Sequence, residues 1–131
     1  MPVDFAKLKS KLKYHRVALL CIILCYIYIQ YEYGTEKSSY NNGQAKVEGE
    51  KRNGKDEGLW TWYYDNGQKE MQGNFINGKR EGKWTIWDRK GNKVNESFYK
   101  NDKLNGISIH WDSNGNVESK VFYKDDKLDG I

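Results

Sequence analysis

Glycine recurs in this chain with a period of 24 residues: Gly43, Gly67, Gly91 and Gly115 form one series, Gly58, Gly82, Gly106 and Gly130 another, and neither slips. A fixed period of that length marks a repeat architecture, in which one supersecondary unit is copied and stacked on its neighbours. Lys55, Lys79, Lys103 and Lys127 keep the same phase, as do Tyr63, Trp87 and Trp111, and Phe75, Tyr99 and Tyr123. The chain is therefore restricted to folds that grow one unit at a time.

Each unit carries two turn signals. One falls at Asn42-Gly43, Asn66-Gly67, Lys90-Gly91 and Asn114-Gly115, the other at Asn53-Gly54, Asn77-Gly78, Asn101-Asp102 and Asp125-Asp126, so turns alternate every 11 and 13 residues. Asn-Gly favours the type I′ turn, whose two central residues take positive φ. Gly43, Gly67, Gly91 and Gly115 are accordingly read as structural turn residues. Between the turns lie segments rich in aromatic and β-branched residues, such as LWTWYY at 59–64, TIW at 85–87 and VESKVFY at 117–123. The expectation is an all-β fold, an elongated single-layer antiparallel meander of about seven strands in β-hairpin repeats, preceded by one N-terminal transmembrane helix.

Alternation along Trp60, Trp62 and Tyr64 puts three rings on one face, while the column Tyr63, Trp87, Trp111 has the other parity. A bulge or sharp twist near that column would reconcile the two. Identical columns are expected to stack as ring ladders that carry the stability in place of a sandwich core. The strand around Val117–Tyr123 is expected to form an open edge, because Asp129-Gly130-Ile131 repeats Asn105-Gly106-Ile107 and the sequence stops as another strand would begin.

Ahead of the repeats, residues 1–16 hold Lys7, Lys9, Lys11, Lys13 and Arg16 against Asp4, while the sequence from Tyr31 balances 17 Lys or Arg with 17 Asp or Glu. A neutral body does not offer the cationic face that neutralises phosphates, so no nucleic-acid partner is expected. The run VALLCIILCYIYI at 17–29 is uncharged, follows the basic stretch, and is trailed by Tyr31 and Tyr33. An anchor, a cleaved signal and a buried core helix all fit such a run. The anchor is favoured by the belt of Tyr26, Tyr28, Tyr31 and Tyr33 and by the lack of a small-x-small cleavage site. The divisions are then a basic cytoplasmic tail at 1–16, a transmembrane anchor at 17–31, a linker at 32–39 and a repeat domain at 40–131. The basic flank would hold the N-terminus in the cytoplasm and send the repeats across the membrane.

The unit YYDNGQKEMQGNFINGKREGKWTIW at 63–87 resembles the MORN-repeat variant, and the resemblance covers residues 40–131. It implies a hairpin-repeat fold. Proteins similar to this are often labelled antitoxin components, and related repeats act as protein-interaction or phospholipid-contact modules. The chain departs from the pattern at Ser108, where a Trp column breaks, and at Ala45–Lys51, which lacks a strand aromatic. Both departures look like capping units. The string LWTWYYDNGQKEMQG at 59–73 is also similar to choline-binding cell-wall repeats, although those are shorter and carry Trp where Asn74 stands here.

No catalytic constellation is legible. Cys21 and Cys25 both lie in the apolar run, and His15 and His110 have no nucleophile nearby in sequence. Asp125 and Asp126 sit at a turn phase, and Lys127 stands where a calcium loop needs a ligand. The sequence thus assigns no catalytic, cofactor or metal residues. Its candidate binding surface is Trp60, Trp62, Tyr63, Trp84, Trp87 and Trp111. The principal expectation is a non-enzymatic, membrane-tethered module for a protein partner or self-association, antitoxin-like or scaffolding the envelope. The alternative is a cell-wall or carbohydrate binder that stacks rings on sugars. If the N-terminal run is an anchor, mass spectrometry of the mature membrane protein will find residues 1–31 retained; a soluble chain beginning near residues 34–40 would refute it.

Overall fold

The computed structural model describes residues 5–130. Helix α1 (Phe5–Glu32) is followed by β1 (Tyr33–Ser39), β2 (Ala45–Arg52), β3 (Lys55–Tyr63), β4 (Lys69–Ile76), β5 (Lys79–Trp87), β6 (Lys93–Lys100), β7 (Lys103–Trp111), β8 (Val117–Lys124) and β9 (Lys127–Gly130). The strands form one open nine-stranded sheet in sequence order, every neighbouring pair antiparallel. The two strands beyond the expected seven lie at its ends. Tyr33–Ser39, expected as a linker, is β1 in register with β2, so helix and sheet are joined without a spacer. Lys127–Gly130 pairs with Val117–Lys124, which makes β8 an interior strand and not the open edge expected from the sequence.

Helix α1 contains a 22-residue stretch, Lys11–Glu32, of mean hydropathy 1.6. At about 1.5 Å per residue it spans about 33 Å, enough for a hydrocarbon core of about 30 Å. None of that stretch is buried against the rest of the chain, which removes the core-helix reading. The helix also runs through the described part of the basic tail. Residues 1–4 of that tail lie outside the described residues.

The two turn series differ in kind. Asn53 and Gly54 have φ of 51° and 71°, Asn77 and Gly78 have 53° and 78°, and the pairs Asn101-Asp102 and Asp125-Asp126 follow suit, all type I′. In the other series only the glycine has positive φ, 83° to 88° at Gly67, Gly91 and Gly115. There the Gly67 amide donates to the Tyr64 carbonyl at 3.0 Å and the Tyr64 amide to the Gln68 carbonyl at 2.8 Å. This is a type I turn completed by a left-handed glycine, a three-residue loop and not the type I′ turn that Asn-Gly suggests. In each of these loops a side chain caps the amide after glycine: Asn42 Oδ1 accepts from Gln44 N, Asn66 Oδ1 from Gln68 N, and Asp88 and Asp112 Oδ1 from Asn92 N and Asn116 N.

Each full unit carries two bulges. Register shifts fall between Trp62 and Tyr63, Ile86 and Trp87, and His110 and Trp111, at the column where the sequence parities conflict. A second shift sets Gly49 against Gly58–Trp60 and Gly73 against Gly82–Trp84, with φ of 69° and 70° at Gly58 and Gly82. This wide bulge lays the Trp60 indole over Gly49 and the Trp84 indole over Gly73, where a Cβ would overlap the ring. Each indole N–H is satisfied nearby: Trp60 donates to the Glu50 carbonyl at 3.0 Å and Trp84 to the Asn74 carbonyl at 3.3 Å. Trp60 and Trp84 are the buried hydrophobic residues of the sheet, 4% and 5% exposed. One unit further, Ser97 and Ser108 occupy the positions of Gly73 and Trp84 and are bonded Oγ to Oγ at 2.7 Å.

The loops change at the same place. Tyr40 and Tyr64 donate their hydroxyls to the Tyr63 and Trp87 carbonyls of the following loop. Asp88 and Asp112, which succeed them, bond within their own loops, each Oδ1 accepting two amides. Hydrogen bonds from Asn92 hold the Asp88 carboxyl below the ordinary 3.8, and those from Asn116 do the same for Asp112. Arg89 lowers Asp65, and the Arg80 amide and guanidinium lower Asp102.

Two outcomes follow. Gly73→Ser is expected to cost about 2 kcal/mol or more by displacing the Trp84 ring, and Gly73→Ser with Trp84→Ser to cost less than the sum of the single changes, as read from denaturant melts of the full chain in detergent. Strict additivity would break the assigned contact. The lowered aspartates contribute stability that is present above the unfolded carboxylate pKa and lost as pH falls through the folded values. The melting temperature should therefore hold level down to about pH 5 and drop below about pH 4, less steeply in Asp88→Asn/Asp112→Asn. An unchanged acid slope in that variant would contradict the loop bonds.

Candidate functional site

The sheet has two faces and the sequence-derived binding residues divide between them. Trp60, Trp62 and Trp84 lie on one, Tyr63, Trp87 and Trp111 on the other. Plain alternation along β3 and β5 makes the division, since the bulges beside Tyr63 and Trp87 put their extra residue on the partner strand, at Glu70 and Val94.

On the first face the rings interlock. Phe75 stands edge-on to Trp84 at 5.0 Å and to Trp60 at 5.9 Å, Trp62 touches both Trp60 and Trp84, and Tyr99 meets Trp84 at 6.2 Å. Rings of different columns therefore alternate, in place of the expected ladders of identical columns. Beside them runs a row of directly paired residues, Val47, Trp62, Met71, Ile86, Asn95 and His110. The row is apolar as far as Ile86 and polar beyond it. A groove of about 310 Å³ opens on this face, lined by Trp62, Met71, Phe75, Ile86 and Tyr99, with Asn95 and Arg80 at its polar margin. Arg80 stacks on Tyr99 at 4.1 Å from the ring centre and bonds Asp102 at 3.0 Å. Its charge is thus held in place at the groove's edge.

Met71, Ile86 and Arg80 were not among the residues picked from the sequence. Met71 and Ile86 lack an obvious repeat partner, since Asn95 and His110 succeed them. Only the strand register puts them beside Trp62.

The opposite face is more polar. Thr61 accepts a hydrogen bond from Gln72 at 2.9 Å, Tyr63 donates to Glu48 at 3.3 Å, and Glu48 pairs with Lys37 at 3.2 Å. Burial, and then the Glu48 carboxylate, push the Tyr63 phenol up. The rings of Trp87 and Trp111 lie under cations, Lys69 at 5.7 Å and Lys93 at 5.2 Å. A cavity of about 500 Å³ near β1–β3 is bordered by Lys37, Glu48, Glu50 and Lys69, a charged and open setting.

Ser97, Ser108, Asn95 and His110 form the one dense polar network. Ser97 Oγ contacts Ser108 Oγ and Asn95 Oδ1, while the Asn95 amide reaches the Ile109 carbonyl at 3.2 Å and His110 Nε2 at 3.1 Å. The histidine faces the amide and neither hydroxyl, so the arrangement couples no base to a nucleophile. Among the described residues no group of three or more His, Cys, Asp or Glu is placed to hold a metal ion.

A comparison with curated proteins gave no significant match. A family model described as the MORN repeat variant matches residues 56–77, 80–101 and 104–125, which is 66 of the 131 residues. Each matched segment is one long strand, its three-residue loop and the strand that follows, and the type I′ turns fall between segments. Period, paired turns and register agree with that match, and the chain belongs to the MORN repeat variant family.

Proposed function

We propose that this protein is a membrane-tethered, non-enzymatic docking module that holds a protein partner on the aromatic face of its sheet. The carrying observation is the groove at Trp62, Met71, Phe75, Ile86 and Tyr99, open on a sheet that has no second layer to cover it. Repeats of this family generally serve protein or membrane interaction, and they are non-catalytic. Helix α1 supplies the tether, with its N-terminus on the cytoplasmic side and the repeats across the membrane. An antitoxin-like or envelope-scaffolding role is the specific form proposed.

A protein partner is favoured over a glycan by the state of the rings. The indoles of Trp60 and Trp84 are spent on Gly49 and Gly73, and those of Trp87 and Trp111 are covered by lysines. Trp62 is left as the half-exposed indole of the groove, whereas Met71 and Ile86 offer the apolar contact a protein side chain fills. A photo-crosslinking residue placed at Ile86 should capture a discrete protein in native membranes, and the same residue at Lys83 on the other face should not. Equal capture from both positions would defeat the docking assignment, and capture of wall polysaccharide would favour the glycan reading.

A further inference from the structure

The turns that build the sheet repeat the dipeptide Asn-Gly, at 42–43, 53–54, 66–67, 77–78 and 114–115, a sixth Asn-Gly at 105–106 lies half-buried inside β7 with Gly106 paired to Tyr123, and this is also the dipeptide most open to intramolecular attack. Glycine has no side chain to shield its amide nitrogen from the preceding Asn carboxamide. In that reaction the glycine nitrogen loses its proton and attacks the Asn Cγ. The Cγ–Nδ2 bond breaks, ammonia leaves, and a succinimide remains. Water then opens the ring at one carbonyl or the other to give isoaspartate or aspartate. Two groups must be free for this: the carboxamide, to move toward the backbone, and the glycine N–H, to act as nucleophile.

The structure distinguishes these chemically equal sites. At Asn42 both amide atoms are engaged, Oδ1 accepting from Gln44 N at 3.0 Å and Nδ2 donating to the Asp65 carbonyl at 2.7 Å, and the Gly43 amide donates to the Tyr40 carbonyl at 3.0 Å. Asn66-Gly67 is held in the same way by Gln68, Arg89 and Tyr64. At Asn77-Gly78 the carboxamide is free but the Gly78 amide donates to the Asp56 carbonyl at 2.8 Å. At Asn114-Gly115 the Gly115 amide donates to Asp112 at 3.0 Å. Asn53-Gly54 differs from all four: both residues are exposed, and among the described residues neither the Asn53 carboxamide nor the Gly54 amide has a hydrogen-bond partner. The reason is positional. The carbonyl that corresponds to that of Asp56 is Glu32's, the last of α1, and it is taken by the Asn53 amide in place of the Gly54 amide.

We infer that Asn53 is the site of spontaneous deamidation in this protein, a modification placed at the junction between anchor and sheet. The Asn53 amide donates to the Glu32 carbonyl at 3.0 Å, the backbone bond that ties the first type I′ turn to the end of α1. Isoaspartate inserts a methylene into that turn and breaks its geometry, and either product sets a carboxylate between Arg52 and Lys55. Deamidation therefore loosens the sheet from its anchor at the turn that leads into β3, the strand on which the groove begins at Trp62.

The test is to age the full chain in detergent at mildly alkaline pH and follow each Asn-Gly peptide by mass spectrometry with isoaspartate detection. Asn53 should convert about tenfold faster than Asn42 and Asn66, the rate equivalent of about one net hydrogen bond, with Asn77 and Asn114 between. In concentrated denaturant the six rates, Asn105 included, should converge. Conversion of Asn42 or Asn66 as fast as Asn53 in the folded chain would overturn the inference, as would an Asn53 lead that persists in denaturant. In Asn53→Gln, conversion elsewhere should continue unchanged.

Discussion

A sheet with no second layer can bury side chains only within its own thickness, and here one contact achieves that: an indole laid flat over a glycine on the adjacent strand. Trp60 on Gly49 and Trp84 on Gly73 exclude water from both the ring and the backbone beneath it, and each indole N–H finds a carbonyl one residue beyond the glycine. Much else depends on this contact. The wide bulges at Gly58 and Gly82 exist to swing the ring across, and the glycines at 49 and 73 are needed for space, since neither has positive φ. Phe75 and Trp62 then pack against the exposed edges of the buried indoles, so the aromatic face grows outward from two fixed points.

That contact is not continued through the third unit. Ser97 and Ser108 replace Gly73 and Trp84 together, a compensated exchange in which two hydroxyls fill by hydrogen bonding the place of a ring and a gap. Over the same stretch the loops change from Tyr40 and Tyr64, which bond forward to the next unit, to Asp88 and Asp112, which bond within their own. In a linear repeat, stability is close to a sum of unit terms and nearest-neighbour terms. The first units invest in the neighbour term and the later ones in the unit term.

The fold was legible because the period was unbroken. Glycine series and turn dipeptides identified the hairpins, and the clash between the Trp60-Trp62 parity and the Tyr63-Trp87-Trp111 column pointed to the bulge that occurs there. The strands at 33–39 and 127–130 escaped notice for a physical reason: YGTEKSS has a single aromatic, Tyr33, and no apolar alternation, and it becomes a strand through pairing with β2 alone. The loop type at Gly67 was misread because Asn-Gly serves two turns, and the three-residue loop is marked by a side chain of the loop, Asn or Asp, that caps the amide after glycine. The candidate site was legible in part. Its Trp residues and their two parities were visible, but Met71, Ile86 and Arg80 come beside them only through the strand register.

Face assignment then limits where a partner can sit. The row Val47, Trp62, Met71, Ile86, Asn95, His110 crosses the sheet at constant height and changes from apolar to polar after Ile86. Beyond Asn95 the polar atoms are already consumed by Ser97, Ser108 and the Ile109 carbonyl, which leaves little unsatisfied bonding to recruit a ligand. On the near side, β1 is Thr, Ser and charge, and its Glu36 and Lys37 are paired with Lys51 and Glu48. The apolar row therefore runs from Val47 on β2 to Ile86 on β5, and the groove beside it reaches β6 through Tyr99. Because β1 continues directly from α1, with one strand between the helix and Val47, the start of that row is fixed by the junction of helix and sheet.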